Sequence, residues 1–108
     1  MTWVDKEQLI EYDEDQSLHC PRCRKRASLH HTVVTSFDRP EDDQYVMVTS
    51  VRGDGGAFQR MENAQVENPS PRRDAVRIAF ECEQCGPGLQ LNIVQHKGDT
   101  YLYWTIAK

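Results

Sequence analysis

The chain has 108 residues, 38% of them apolar and 28% charged, with a formal net charge of −4. That length suits one domain with a modest core, one that would profit from a covalent or metal staple. No run of about 18 apolar residues exists, which excludes a transmembrane helix. An acidic chain is also a poor general binder of phosphate backbones.

Residues 1–17 form an acidic arm. Six acids (Asp5, Glu7, Glu11, Asp13, Glu14, Asp15) stand against one base, Lys6. Val4, Leu9, Ile10 and Tyr12 have weak helical spacing, which suggests a short helix or an irregular segment. The arm has no basic stretch followed by an apolar one, as a secretory signal would. The expectation is a soluble cytoplasmic protein, where cysteines bind metal or do redox work rather than form disulfides.

A first cysteine pair follows at 18–26, inside a basic island. Residues 20–39 hold Arg22, Arg24, Lys25, Arg26 and Arg39 against one acid, Asp38. Residues 29–37 are rich in β-branched side chains and read as a strand. Asp38 to Asp43 reads as a turn, and 44–52 as a second strand, apolar at most positions. Residues 53–74 break the pattern, opening on Gly53, Gly55 and Gly56 and closing on Asn68 to Asp74. They read as a flexible loop insertion, with Ala57 to Val66 as a strand end or one helical turn.

Order returns at 75–81, where Val76, Ile78, Phe80 and Cys82 alternate with Arg77, Ala79 and Glu81. Leu89, Leu91 and Ile93 then alternate with Gln90 and Asn92 along 89–96, and 100–107 closes the chain. The last two strands predict a tight hairpin. A Gly98-Asp99 turn sets Ile93 opposite Trp104, and a Lys97-Gly98 turn sets Ile93 opposite Leu102 and Leu91 opposite Trp104. Both keep one apolar face, whereas a three-residue loop mixes the faces. The fold class is therefore mainly β, a single domain with an antiparallel sheet of about five strands.

The chemistry-bearing motifs are Cys20-Pro21-Arg22-Cys23 and Cys82-Glu83-Gln84-Cys85-Gly86. Two residues between cysteines let one tight turn aim both sulfurs at one point. Pro21 pre-sets φ for that turn, and Gly86 is suited to the positive φ that follows the second cysteine. Two such turns supply the four sulfurs of a closed structural Zn²⁺ site. Four thiolates and one Zn²⁺ together add −2 to the chain, giving −6.

At these positions, and in the strand entering and the hairpin leaving the second turn, the chain resembles the zinc-ribbon family. It also resembles short, uncharacterised bacterial or phage zinc-ribbon proteins. The resemblance covers the two turns and residues 76–107. The chain departs from it twice. Arg24 stands where such turns commonly have glycine. The 58 residues between the pairs, 24–81, exceed the usual spacing of about 15–20. The resemblance implies an elaborated ribbon with a β insertion.

Rubredoxin-like iron uses the same sulfurs, but rubredoxins carry glycine after both turns and a shorter, aromatic-rich chain between them. Redox thiols are a further alternative, although no thioredoxin-like βαβ pattern surrounds either pair. His30 or His31 as a replacement ligand or second site competes with the plainer reading of surface strand residues.

A four-cysteine shell has no open coordination position, so the metal is expected to be structural. No His-x-Glu accompanies the pairs, as a zinc deaminase requires, and Gly53-Asp54-Gly55-Gly56 lacks the Lys-Ser/Thr of a phosphate loop. No enzyme activity and no small-molecule substrate are expected. Two functional readings remain. One is a protein-binding or inhibitory adaptor, contacting its partner through an acidic surface, the 53–74 loop and an exposed face carrying Tyr101 and Tyr103. The other, implied by the zinc-ribbon resemblance, is nucleic-acid binding. There Arg22, Arg24, Lys25 and Arg26 would contact phosphates, Arg72 and Arg73 would support them, and Phe37 or Trp104 would stack a base.

Overall fold

The computed structural model describes residues 3–6, 17–24 and 28–107. They form one open antiparallel sheet. In chain order its strands are β1 (Trp3–Lys6), β2 (Leu29–Asp38), β3 (Tyr45–Arg52), β4 (Gly55–Glu62), β5 (Ala75–Cys82), β6 (Gly86–His96) and β7 (Asp99–Ala107), with a single 3₁₀ turn at Asn63–Gln65. Across the sheet they run β1-β7-β6-β5-β2-β3-β4. Six strands have eight residues or more, against about five expected, and β1 adds a four-residue edge.

The additional long strand is β4, which occupies what the sequence reads as a loop insertion. It pairs with β3 from Arg52↔Gly55 to Tyr45↔Glu62 without a register shift. Its glycines and polar residues hide it from pattern reading, because backbone pairing to β3 rather than burial holds it in place. The backbone of Trp3–Lys6 pairs with β7 as a strand. The rest of the helix or arm expected there, 7–16, lies outside the described residues. The β6–β7 hairpin takes the Lys97-Gly98 register, with Leu91↔Trp104 and Ile93↔Leu102. Lys97 at φ 50° and Gly98 at φ 82° give the two positive φ values of a type I′ turn.

The sheet buries different patches on its two faces. At the cysteine end of one face, Cys20, Cys82, Leu89 and Trp104 pack with Leu18, Leu29, Phe80, Leu91 and Ile106. Phe80 meets the Trp104 ring edge-on at 5.5 Å. On the opposite face, Phe37, Val46, Ala75 and Val94 pack with Val48, Val66 and Tyr103. The segment from Asn63 to Asp74 is bound down at this second cluster. The Ser70 hydroxyl donates to the Gln95 carbonyl at 2.6 Å, and Arg77 Nη1 donates to the Glu67 carbonyl at 3.1 Å. Beside it Asn92, with 0% exposure, accepts from Arg77 Nε at 2.8 Å and donates to Thr105 Oγ1 at 3.1 Å. Thr105 in turn donates to Gln90. A buried amide with every group engaged fixes the β5-β6-β7 register on this face.

Candidate metal centre

The two Cys-x-x-Cys turns meet at one end of the sheet. Cys82 ends β5, Cys85 lies in the turn into β6, and Cys20 and Cys23 come from the preceding turn. Their four sulfurs all lie within 4.8 Å of one another, and the Cys23 and Cys82 sulfurs are 3.7 Å apart. A tetrahedron with metal–sulfur bonds of about 2.3 Å has edges of about 3.8 Å, so the donor set fits a four-coordinate metal ion.

The two turns are built alike. The Arg22 N–H approaches Cys20 Sγ at 3.4 Å, and the Gln84 N–H approaches Cys82 Sγ at 3.4 Å. The residue after each second cysteine is left-handed, Gly86 at φ 81° and Arg24 at φ 61°. Arg24 thus adopts the conformation that glycine supplies in related turns, although its side chain disfavours it. Beneath the site, the Glu83 N–H bonds to the Ser28 carbonyl at 2.8 Å. The Ser28 side chain, which nothing in the sequence motif singles out, lies 3.5 Å from Cys82 Sγ.

Burial alone would push the Cys82 thiol up. The Ser28 hydroxyl and the N–H groups of Cys85 and Gln84 outweigh it and bring this thiol down to about 6. Burial, and then crowding by the Cys23 and Cys82 sulfurs, push Cys85 up to about 12. Burial also raises Cys20, against the N–H groups of Cys23 and Arg22. Four sulfurs this close cannot all ionise without a cation among them, and a divalent ion resolves that conflict.

Of the four cations beside the first turn, the two that are described, Arg22 and Arg24, are placed differently. Arg22, a phosphate contact in the nucleic-acid reading, turns inward. Its guanidinium donates to the carbonyls of Ala107 at 2.8 Å, Pro87 at 2.9 Å and Gly88 at 3.5 Å. The fork ties the first turn to the end of β7 and the start of β6, and five fixed donors suit such a junction. Arg24 is exposed, and Lys25 and Arg26 lie outside the described residues. Arg72 and Arg73 sit before β5, at the opposite end of the sheet from the cysteines. Arg72 pairs there with Asp42 and Glu41, and its guanidinium holds the Asp42 carboxyl below the usual range.

The proposed aromatic contacts divide in the same way. Phe37 and Trp104 are buried in the two clusters, so neither presents a ring for stacking. Tyr103 packs into the Phe37 cluster, and of the two tyrosines only Tyr101 is exposed. His30 is an exposed strand residue whose Nε2 lies 3.0 Å from Glu83, and His31 meets Phe80 edge-on.

The sequence reading misses one surface. On the cysteine-bearing face, a cross-strand row runs Leu102–Ile93–Val76–Ser36–Thr49–Phe58, and its neighbour runs Trp104–Leu91–Ile78–Val34–Val51–Gly56. Among the described residues, the first turn covers the end of this face near Trp104 and Leu89. Phe58 is 67% exposed, Val51 54% and Leu102 53%.

Comparison with protein-family models, curated proteins and solved structures finds no match to the chain. Among the described residues, no helix is long and apolar enough to cross a membrane.

Proposed function

We propose that Cys20, Cys23, Cys82 and Cys85 hold one structural Zn²⁺, and that the zinc-stapled sheet is a non-enzymatic protein-interaction module of a reducing cytoplasm. Four thiolates complete the tetrahedron that Zn²⁺ favours and leave no position for a substrate, so the ion's contribution is to folding. On this reading the chain is an elaborated zinc ribbon whose insertion supplies β2, β3 and β4.

The observation that carries the interaction role is the largely apolar strip from Leu102 to Phe58, whose Leu102, Val51 and Phe58 are exposed among the described residues. Scattered apolar residues on a surface are ordinary, but Leu102, Val51 and Phe58 are exposed on one sheet face together with the half-buried Ile93, Val76, Ile78 and Val34, and such a grouping supports a contact surface. The strip's partner is a protein with an apolar face of its own. The test compares affinity capture from the source cell by the native chain, by Leu102→Asp with Val51→Asp, and by Arg72→Gln with Arg73→Gln. The expected result is a specific protein retained by the native and arginine variants and lost by the strip variant. Retention of DNA or RNA, with steep salt dependence and loss in the arginine variant, would favour the nucleic-acid reading instead.

A further inference from the structure

We propose that the outer edge of β4 pairs antiparallel with the same edge of a second copy of the chain, extending the sheet across a two-fold axis. The inference rests on the outer edge of β4 and not on the strip reading above, with which it shares Phe58.

β4 is the last strand of the sheet, and among the described residues it pairs with β3 alone. The two-residue turn Gly53-Asp54 makes Arg52↔Gly55 a hydrogen-bonded pair. Alternation then sends the N–H and C=O groups of Gly55, Ala57, Gln59 and Met61 toward β3. Those of Gly56, Phe58, Arg60 and Glu62 point outward. Exposed edges are usually blunted by proline, a bulge, charged side chains, lysine above all, or short length. β4 has eight residues, an unshifted register, no proline and no lysine, and its two charges, Arg60 and Glu62, are of opposite sign.

The sequence of the edge selects a second copy and one register. A two-fold antiparallel pairing must oppose residues that share a face. With Gln59 on the axis, all four outward residues of one copy meet all four of the other, forming about eight main-chain hydrogen bonds at two per pair. Phe58 then lies opposite Arg60 of the second copy, and Gly56 opposite Glu62. Arg60 already sits 3.7 Å over the Tyr45 ring, so Phe58 of the second copy adds another aromatic neighbour to the same cation. Gly56 leaves room for the Glu62 side chain. The two neighbouring registers are worse. Shifting one way places Asp54 against Glu62 of the second copy and leaves about six bonds. Shifting the other way places Arg60 against its own copy, and like charges directly opposite repel.

Sedimentation equilibrium of the metal-loaded chain tests the inference. At about 50 μM it should show twice the 12.5 kDa of one chain. Phe58→Pro removes an outward N–H and none of the bonds to β3. It should lower association by at least about tenfold while metal content and the β spectrum stay unchanged. Gln59→Cys should cross-link across the axis under mild oxidation, because a non-hydrogen-bonded antiparallel pair has Cα atoms about 4.5 Å apart, within disulfide reach. This variant stands in for Phe58→Pro should proline unfold the hairpin. Leu102→Asp, at the far end of the sheet, should leave the dimer intact and so separates this inference from the strip reading. A native chain that stays monomeric, a dimer that a folded Phe58→Pro leaves unaltered, or a dimer that Gln59→Cys does not cross-link would each overturn it.

Discussion

Replacing Arg22 with alanine should destabilise the protein by about 2 kcal/mol and speed metal loss. The guanidinium makes one good part-buried bond, to the Ala107 carbonyl at 2.8 Å. A second, to Pro87 at 2.9 Å, is exposed, and the third, to Gly88, is long at 3.5 Å. Bonds from a charged donor contribute roughly 1.5–3 kcal/mol where buried and much less where solvent competes. The first therefore dominates, and the other two add a fraction. For a chain of this size the loss corresponds to a midpoint lower by roughly 8 °C. Because the fork anchors the turn that carries Cys20 and Cys23, transfer of metal to a colorimetric chelator should also accelerate. Arg22→Lys should recover only part of both effects, since an ammonium cannot reach three carbonyls in a fixed fork. Thermal melts and chelator kinetics on the three proteins decide the matter. An alanine variant within about 0.5 kcal/mol of the native chain, with unchanged metal transfer, would refute the reasoning.

Gly86→Ala and Gly88→Ala should separate strain from collision. Both glycines are left-handed, at φ 81° and 99°, but a Cβ at Gly86 meets nothing whereas one at Gly88 lies 3.0 Å from Ala107 Cβ and from Arg22 Nη2. Urea melts should show a loss of about 1 kcal/mol at Gly86 and at least about 2 kcal/mol at Gly88. Asn92→Ala removes the acceptor of Arg77 Nε and the donor to Thr105 Oγ1, which keeps its bond to Gln90, and should cost about 2–3 kcal/mol by the same assay. Metal uptake at pH 7.5 should release at least about two protons per ion, read by calorimetry in buffers of different ionisation enthalpy. The sign follows from the thiols. Cys85 at about 12 and the raised Cys20 are protonated at that pH and must give up their protons, whereas Cys82 at about 6 is already a thiolate. Acidification therefore weakens binding, and release of one proton or none would contradict the assignment.

What the sequence made legible was local or periodic. The alternation of Val76, Ile78 and Phe80 locates β5 and its apolar face, and the spacing of the cysteines identifies the four sulfurs that the fold brings together. Lys97-Gly98 was one of two turns compatible with the β6–β7 pattern, and only the observed positive φ values select it. Features that depend on distant partners stayed hidden. The carbonyls that hold Arg22 lie 65 to 85 residues further along the chain. β4 carries no burial signal because its outer edge and most of its side chains face solvent. The apolar strip went unseen because alternation shows that a strand has an apolar face, and not which part of that face another segment covers.

Native mass spectrometry of the chain purified without added metal tests most directly whether the four cysteines share one ion that stabilises this end of the sheet. The predicted spectrum shows one zinc per chain in a compact charge-state distribution, which shifts to extended, metal-free ions after chelation. A compact chain that carries no metal, or that stays compact when its metal is removed, would contradict it.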